Sequence, residues 1–265
     1  MKKIIIFLFF VNLLTSKAYT IENLKIYEDT ISDLPVTITK PKKINANLIG
    51  IIGGKGIQNK SGVSNNYLYR YKDSFVENGI AFYLFPNANS KIKASYKVRA
   101  SKERINSIKK LVDYISNIND KPIYIIGFSR GSVDAGIYGK KNPKSISGII
   151  LASAIYKNNS NKAKNYSMDK IIGNKINVDI LVVHHEKDLC PVTQFKFAKK
   201  FYDKLNTKNK KLLKFTDGTG TGRECGPYHH HGYEGIEEKV ANEIAKWINE
   251  KWKYFLQLIL RTKNV

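Results

Sequence analysis

Ser129 stands between two glycines, as Gly-x-Ser-x-Gly, in the segment "IYIIGFSRGSVDAG". A serine hydroxyl becomes a nucleophile when an imidazole takes its proton and a carboxylate orients that imidazole. The apolar run before the motif predicts a buried strand, and the residues after it predict a helix. A strand, a sharp turn and a helix are the context of a nucleophile elbow, which exposes the serine at the tip of the turn.

An acid and a base follow at the ends of later predicted strands. The segment "ILVVHHEKDLCPVT" is an apolar strand ending at His184, and Asp188 follows four residues later. The loop "ECGPYHHHGYEGIE" contains His229, His230 and His231, so all five histidines of the chain lie in these two loops. The fold that carries a nucleophile elbow places its residues in the order Ser, acid, His, which is the order here.

Together these motifs resemble the α/β-hydrolase superfamily. The matching residues are 127–131 ("GFSRG"), 185–188 ("HEKD") and 231–235 ("HGYEG"), and the resemblance extends from about Leu48 to Trp247. The chain looks most like small exported bacterial members, which pair a Cys just after the acid with a Cys just before the histidine loop. The resemblance implies an exported serine hydrolase of the carboxylesterase type that forms an acyl-enzyme. It favours an ester as the bond cleaved, and an amide or a thioester stays open.

The resemblance also implies roles for individual residues. Ser129 would be the nucleophile, Asp188 the orienting acid and His231 the general base. His231 is preferred because the residues after it open a helix, and His230 is the alternative. Cys190 and Cys225 would form a disulfide that ties the acid loop to the base loop and contributes about 3–4 kcal/mol by loop closure.

An oxyanion hole is expected beside the serine. One donor should be the backbone N–H of Arg130, the residue after the nucleophile. The second should come from the loop "GGKG" that follows the predicted strand Leu48–Ile52, where Gly54 and Lys55 are both candidates. A phosphate-binding loop is excluded, because "GKGIQNKSG" lacks the adjacent Gly-Lys-Ser/Thr.

The first 18 residues are predicted to be a secretory signal peptide. Lys2 and Lys3 form a basic start, residues 4–14 are almost wholly apolar, and "SKA" places small residues before a cleavage site at Tyr19. An uncleaved N-terminal anchor is the alternative. The prediction implies a periplasmic or secreted protein, and an oxidising compartment favours a disulfide.

The mature chain, residues 19–265, is predicted to be one domain, because apolar strands alternate with helical patterns as in parallel βαβ units. We expect the α/β-hydrolase fold, with a mostly parallel sheet of about seven or eight strands, helices on both faces and a small cap in residues 155–175. The predicted strands are 36–39, 48–52, 80–85, 123–127, 146–152, 180–184 and 212–215, with a further strand near 24–27. The predicted helices are 66–78, 98–117, 132–140, 193–205 and 236 to about 258.

Net charge and composition limit the classes of partner that the chain is expected to bind. The formal net charge is +23, with 45 basic and 22 acidic residues. The lysines are spread over every predicted element, which favours a compositional bias and solvated faces over a specific nucleic-acid site. We expect a small-molecule ester or acyl substrate and a weak attraction to anionic membrane surfaces at low salt. No organic cofactor or metal is implied, and the sequence does not determine the oligomeric state.

Two other functions are weighed against the serine hydrolase. A metal hydrolase would use the five histidines with Asp188, but histidines adjacent on one loop rarely all face one ion, and the chain has no HExxH motif. A non-catalytic extracellular binding module would keep the hydrolase fold and use the basic surface or the C-terminal helix for contact.

Overall fold

The computed structural model describes residues 19–25, 35–56, 64–85, 93–157 and 165–262, and it describes side chains between residues 36 and 252 of these ranges. The predicted signal peptide, residues 1–18, and residues 158–164 of the predicted cap lie outside the described residues. The described part of the cap contains one short helix, Met168–Ile171. Within the described ranges, no helix is long and apolar enough to span a bilayer.

Eight strands form a single sheet in the described part of the chain, in the order β1-β2-β4-β3-β5-β6-β7-β8. The six strands from β3 to β8 run parallel to one another, and β1 and β2 are antiparallel at one edge. The predicted mostly parallel sheet is therefore confirmed. The strands are β1 (Tyr19–Lys25), β2 (Pro35–Pro41), β3 (Ala46–Ile51), β4 (Ile80–Phe85), β5 (Ile123–Phe128), β6 (Gly148–Ala152), β7 (Asp179–His185) and β8 (Lys210–Phe215).

Helices cover both faces of the sheet, so the central strands are buried on both sides and read as continuous apolar runs. Alternate residues enter opposite cores: Ile49 and Ile125 face one layer of helices, whereas Leu48 and Ile126 face the other. The first layer contains α4, α5 and α7, and the second contains α2 and α8. The helices are α1 (Tyr67–Arg70), α2 (Lys72–Glu77), α3 (Tyr96–Arg99), α4 (Lys102–Ile118), α5 (Gly131–Lys141), α6 (Met168–Ile171), α7 (Phe195–Lys204) and α8 (Glu237–Thr262).

Some predicted boundaries differ from the observed ones. The first strand occupies Tyr19–Lys25 rather than residues near 24–27, because it pairs along the whole of β2, with Tyr19 opposite Pro41. The predicted helix at 98–117 is two helices, since the side chain of Ser101 accepts a hydrogen bond from the Arg104 N–H and starts α4 there. The predicted helix at 66–78 is likewise divided, at Tyr71.

The strand order creates a crevice at the carboxyl edge of the sheet. The chain leaves β3 toward β4 on one side, and β5 then pairs with β3 on the other side. The connections of the sheet therefore change direction between β3 and β5, and the loops that follow these two strands diverge. In open α/β sheets, ligands bind in the space between two such loops. The loops after β3 and β5, which carry the predicted oxyanion hole and serine, both start at this point.

Candidate active site

Ser129 lies at a sharp bend between β5 and α5. Its φ is 51°, a left-handed conformation that is costly for a residue with a side chain. The flanking glycines are required by close approach, because a Cβ on Gly127 would meet the Gly131 carbonyl and a Cβ on Gly131 would meet the Ile51 carbonyl. The backbone therefore makes the sharp strand–turn–helix bend that the prediction of a nucleophile elbow requires.

Asp188 and His231 lie within hydrogen-bond distance of each other, although 43 residues separate them in the chain. The distance between Nδ1 of His231 and Oδ2 of Asp188 is 3.0 Å, and both side chains are buried. With the carboxylate ionised, the Nδ1–H donates, which leaves Nε2 as the unprotonated nitrogen. His231 and Ser129 line the same cleft at the carboxyl edge of the sheet. Within the described residues a hydrogen bond joins His231 to Asp188, but none joins Ser129 Oγ to His231.

His230, the alternative base, points elsewhere. Its ring packs at a tilt against the His185 ring, with the centroids 4.4 Å apart, and edge-to-face against the His229 ring, with the centroids 4.9 Å apart. Burial and the neighbouring His185 and His229 lower the pKa of His230. His185 is also engaged, because its Nε2 lies 2.6 Å from the carbonyl oxygen of Asp217. Among the described residues it is therefore His231 that faces Asp188 from this loop.

The fold of the chain can be compared with that of known proteins. Neither protein-family models nor curated protein sequences give a match to the chain. Solved structures do match it: a dienelactone hydrolase from Anabaena variabilis has a TM-score of 0.62 at 10% identity, covering 86% of this chain and 96% of that one. The chain has the α/β-hydrolase fold.

Two further structures with the hydrolase fold extend the comparison. A fungal esterase from Rhizomucor miehei has a TM-score of 0.62 at 15% identity, covering 91% of this chain and 85% of that one. A monoacylglycerol lipase from Paleococcus ferrophilus has a TM-score of 0.58 at 12% identity, covering 82% of this chain and 98% of that one. Identities this low establish the fold alone.

The loop after β3, which is the predicted oxyanion loop, passes directly beside the serine. A Cβ added to Gly53 would lie 2.8 Å from the Ser129 Cβ. Within the part of the chain that the structure describes, the backbone N–H groups of Arg130 and Gly54 make no hydrogen bond. Lys55 is exposed, lines the cleft, and its carbonyl accepts a hydrogen bond from Ala94 N–H.

Several groups hold the Asp188 carboxylate. Thr193 Oγ1 donates to Oδ2 at 2.8 Å, and the Cys190 N–H donates to Oδ1 at 2.9 Å. Nε2 of the fully buried His184 also faces the carboxylate, 3.3 Å from Oδ2. Burial by itself raises the pKa of a carboxyl, but the facing His231 and His184 outweigh it and hold the pKa of Asp188 well below its usual range.

The His231 turn is held from a third strand end. Ser153, directly after β6, has a φ of 42° and donates its hydroxyl to the His231 carbonyl at 2.8 Å. The Phe128 ring packs against the imidazole, with the centroids 5.2 Å apart. The disulfide between Cys190 and Cys225 joins the loop after β7 to the segment before the His231 turn, so the two loops are covalently linked as predicted.

A buried ion cluster connects the loop after β3 to α5, the helix that follows Ser129. Asp134, on α5, accepts from Arg99 Nη1 at 2.5 Å and from Arg104 Nε at 2.6 Å, and all three side chains are almost completely buried. Arg99 Nη2 donates in turn to the Ile52 carbonyl at 2.9 Å, at the end of β3. The Arg99 side chain therefore contacts both the residue that precedes Gly53 and the helix that follows Ser129.

Sequence reasoning did not identify Thr193, Ser153, Arg99 or Asp134 as part of the site, and it gave His184 a role only in the metal-hydrolase alternative. Asp134 left a usable signal, because it is a lone acid within the small and apolar start of α5. In the sequence, Thr193, Ser153 and Arg99 look like ordinary loop or helix residues. The metal alternative finds no donor set within the described ranges, since no group of three His, Cys, Asp or Glu side chains is placed to share an ion.

The cleft itself is open and comprises about 1300 Å³. It lies between the loop after β3, α3, the Cys190–Cys225 disulfide and the described part of the predicted cap, which contributes Asn165 and Tyr166. A second groove, at the amino ends of β6 and β7, contains none of the predicted site residues. The cleft beside Ser129 is thus the place where a substrate would meet the predicted chemistry.

Proposed function

We propose that the protein is an exported serine hydrolase that cleaves esters through an acyl-enzyme on Ser129. The observation that carries the proposal is the buried hydrogen bond between His231 and Asp188. His231 lines the same cleft as Ser129, whose φ is 51°. The matched structures named as an esterase, a lipase and a dienelactone hydrolase support the same reaction class.

The reaction would begin with attack of Ser129 Oγ on the acyl carbonyl carbon. His231 Nε2 takes the hydroxyl proton, and Asp188 stabilises the resulting imidazolium without becoming protonated. The carbonyl oxygen gains negative charge and is stabilised by the N–H of Arg130 and by a second N–H, from Gly54 or Lys55. His231 then gives its proton to the leaving alcohol, and water releases the acyl group by the same steps in reverse order.

An ester is favoured over an amide because an alkoxide or phenoxide leaves with less help from an acid than an amine does. Export is proposed because residues 1–18 have the features of a signal peptide and because disulfides persist in oxidising compartments. The Cys190–Cys225 bond fits that setting.

The test compares p-nitrophenyl acyl esters as substrates for the disulfide-bonded chain that begins at Tyr19 and for its variants. Ser129→Ala and His231→Ala should each lower kcat by roughly a thousandfold or more, and the double variant should lose little beyond either single one, since the two residues act as a unit. The wild type should release a burst of p-nitrophenol close to one equivalent of enzyme, which is the kinetic sign of an acyl-enzyme.

His230→Ala is the matched control, because it removes an adjacent imidazole that faces His185 rather than Asp188. It should change kcat by no more than a few-fold. Activity that survives in Ser129→Ala would remove the serine from the mechanism. A loss in His230→Ala as large as in His231→Ala would instead overturn the assignment of the base. Hydrolysis of no ester at all, by a correctly folded wild type, would favour a binding module.

A further inference from the structure

The described lining of the cleft contains basic side chains and no acidic ones. Lys55, Lys97 and Arg130 line it, and none of the other described lining residues is Asp or Glu. The carboxylate nearest to the chemistry, Asp188, is buried behind His231 and is already occupied by its own hydrogen bonds. A substrate entering this cleft therefore meets cations and neutral groups only along the described surface.

The Arg130 guanidinium is held in a defined place next to the serine. Its Cζ lies 5.0 Å from the centroid of the Tyr96 ring, and Tyr96 stacks on Tyr166 with the centroids 5.7 Å apart and the planes 9° from parallel. Within the described residues the guanidinium has no carboxylate within ion-pair distance. A guanidinium stacked on an aromatic face keeps the N–H groups at its edge available, and this planar fork matches the two oxygens of a carboxylate.

We propose that Arg130 is a specificity-determining residue that binds a carboxylate group of the substrate, so that the preferred esters are anionic. This inference rests on the proposed function and adds the substrate class. The backbone N–H of Arg130 would serve the oxyanion, and its side chain would serve the substrate's carboxylate a few ångströms away. Lys97, exposed on α3 beside Tyr96, would add a longer-range attraction that salt screens.

The experiment measures kcat/KM for matched pairs of esters, each rate divided by the rate of the same ester with hydroxide. One pair is mono-p-nitrophenyl adipate and p-nitrophenyl hexanoate, which places the carboxylate on the acyl side. The other is 3-carboxy-4-nitrophenyl hexanoate and p-nitrophenyl hexanoate, which places it on the alcohol side. In at least one pair the wild type should favour the anionic ester by about tenfold, a factor typical of one well-oriented charged contact.

Arg130→Gln should reduce that preference to near one, and Arg130→Lys should retain part of it, because charge remains while the fork is lost. Lys208→Gln is the matched control: it removes one positive charge from the exposed end of the sheet opposite the site, so it reports any effect of net charge alone. It should leave the preference unchanged.

The inference would be overturned if the normalised kcat/KM of the wild type were the same for the anionic and the neutral ester in both pairs. A preference that Lys208→Gln lowers as much as Arg130→Gln does would also overturn it, because the cause would then be the field of the whole protein. Failure of the proposed function gives a different result, since the wild type would then cleave no ester of either pair faster than Ser129→Ala does.

Discussion

At the scale of single residues, the Asp188 carboxylate is a buried acid on which several polar groups of the site converge. It receives hydrogen bonds from a backbone N–H and a threonine hydroxyl, faces two imidazoles and is almost completely shielded from water. A buried charge is tolerated only when such partners replace its hydration. The same partners that orient His231 therefore also determine how the protein's stability depends on pH.

The pKa of Asp188 in the folded protein lies below that of an unfolded aspartate, which is about 3.9. Its ionised form thus stabilises the fold above about pH 4, and this contribution is lost as the pH falls through the folded-state pKa. Asp188→Asn, which resembles the protonated acid, should lower the free energy of unfolding by on the order of 2 kcal/mol at neutral pH. The difference from the wild type should shrink toward acid, as measured by urea unfolding across a pH series.

Asp169→Asn provides the control, because it makes the same substitution at an exposed position on α6. Its effect on the free energy of unfolding should stay within about 0.5 kcal/mol at every pH. A deficit in Asp188→Asn that remained constant from neutral to acid pH would contradict the assignment of a depressed pKa.

The residues with candidate chemistry could be predicted because each follows an apolar strand in a fixed order. Ser129, Asp188 and the histidine loop are all visible as polar residues at strand ends. The residues that support them could not be predicted, because Ser153 reaches His231 across 78 positions and Asp134 reaches Arg99 across 35. Contacts of that range depend on sheet order and helix packing, which no local pattern contains.

At the scale of elements, the parallel strands end at one edge of the sheet, so loops from distant parts of the chain lie next to one another there. Strand positions were well predicted because burial on both faces leaves continuous apolar runs. Helix ends were less well predicted, since a single cap such as Ser101 divides a continuous apolar pattern into two helices. The contact that links α3, α5 and the end of β3 is the buried cluster around Asp134.

Asp134→Ala should lower the free energy of unfolding by about 3–5 kcal/mol, because it leaves the guanidinium groups of Arg99 and Arg104 buried without their counter-ion. Urea unfolding of the two proteins measures the difference. Asp113→Ala is the matched control: it removes an exposed carboxylate that pairs with Lys109 one turn away, and it should cost less than about 1 kcal/mol. Equal losses in the two variants would mean that the cluster does not brace these elements.

At the scale of the whole molecule, the excess of basic residues affects encounters more than folding. A formal charge of +23 spread over every element attracts anionic surfaces as a field rather than through one patch. The same field would accelerate the approach of an anionic ester to the cleft, and Arg130 would then select it by contact. Long-range attraction and local recognition are separable, because salt screens the first much more than the second.

The chain that begins at Tyr19 should sediment with phosphatidylglycerol-containing vesicles at about 20 mM salt and be released at about 300 mM, since the screening length falls below about 10 Å in that range. Starting at Tyr19 removes the apolar run of residues 4–14, which would bind any bilayer through the hydrophobic effect. Phosphatidylcholine vesicles are the control and should bind little protein at either salt concentration. Binding to these neutral vesicles, or binding that persists at high salt, would show that apolar contact rather than charge draws the protein to membranes.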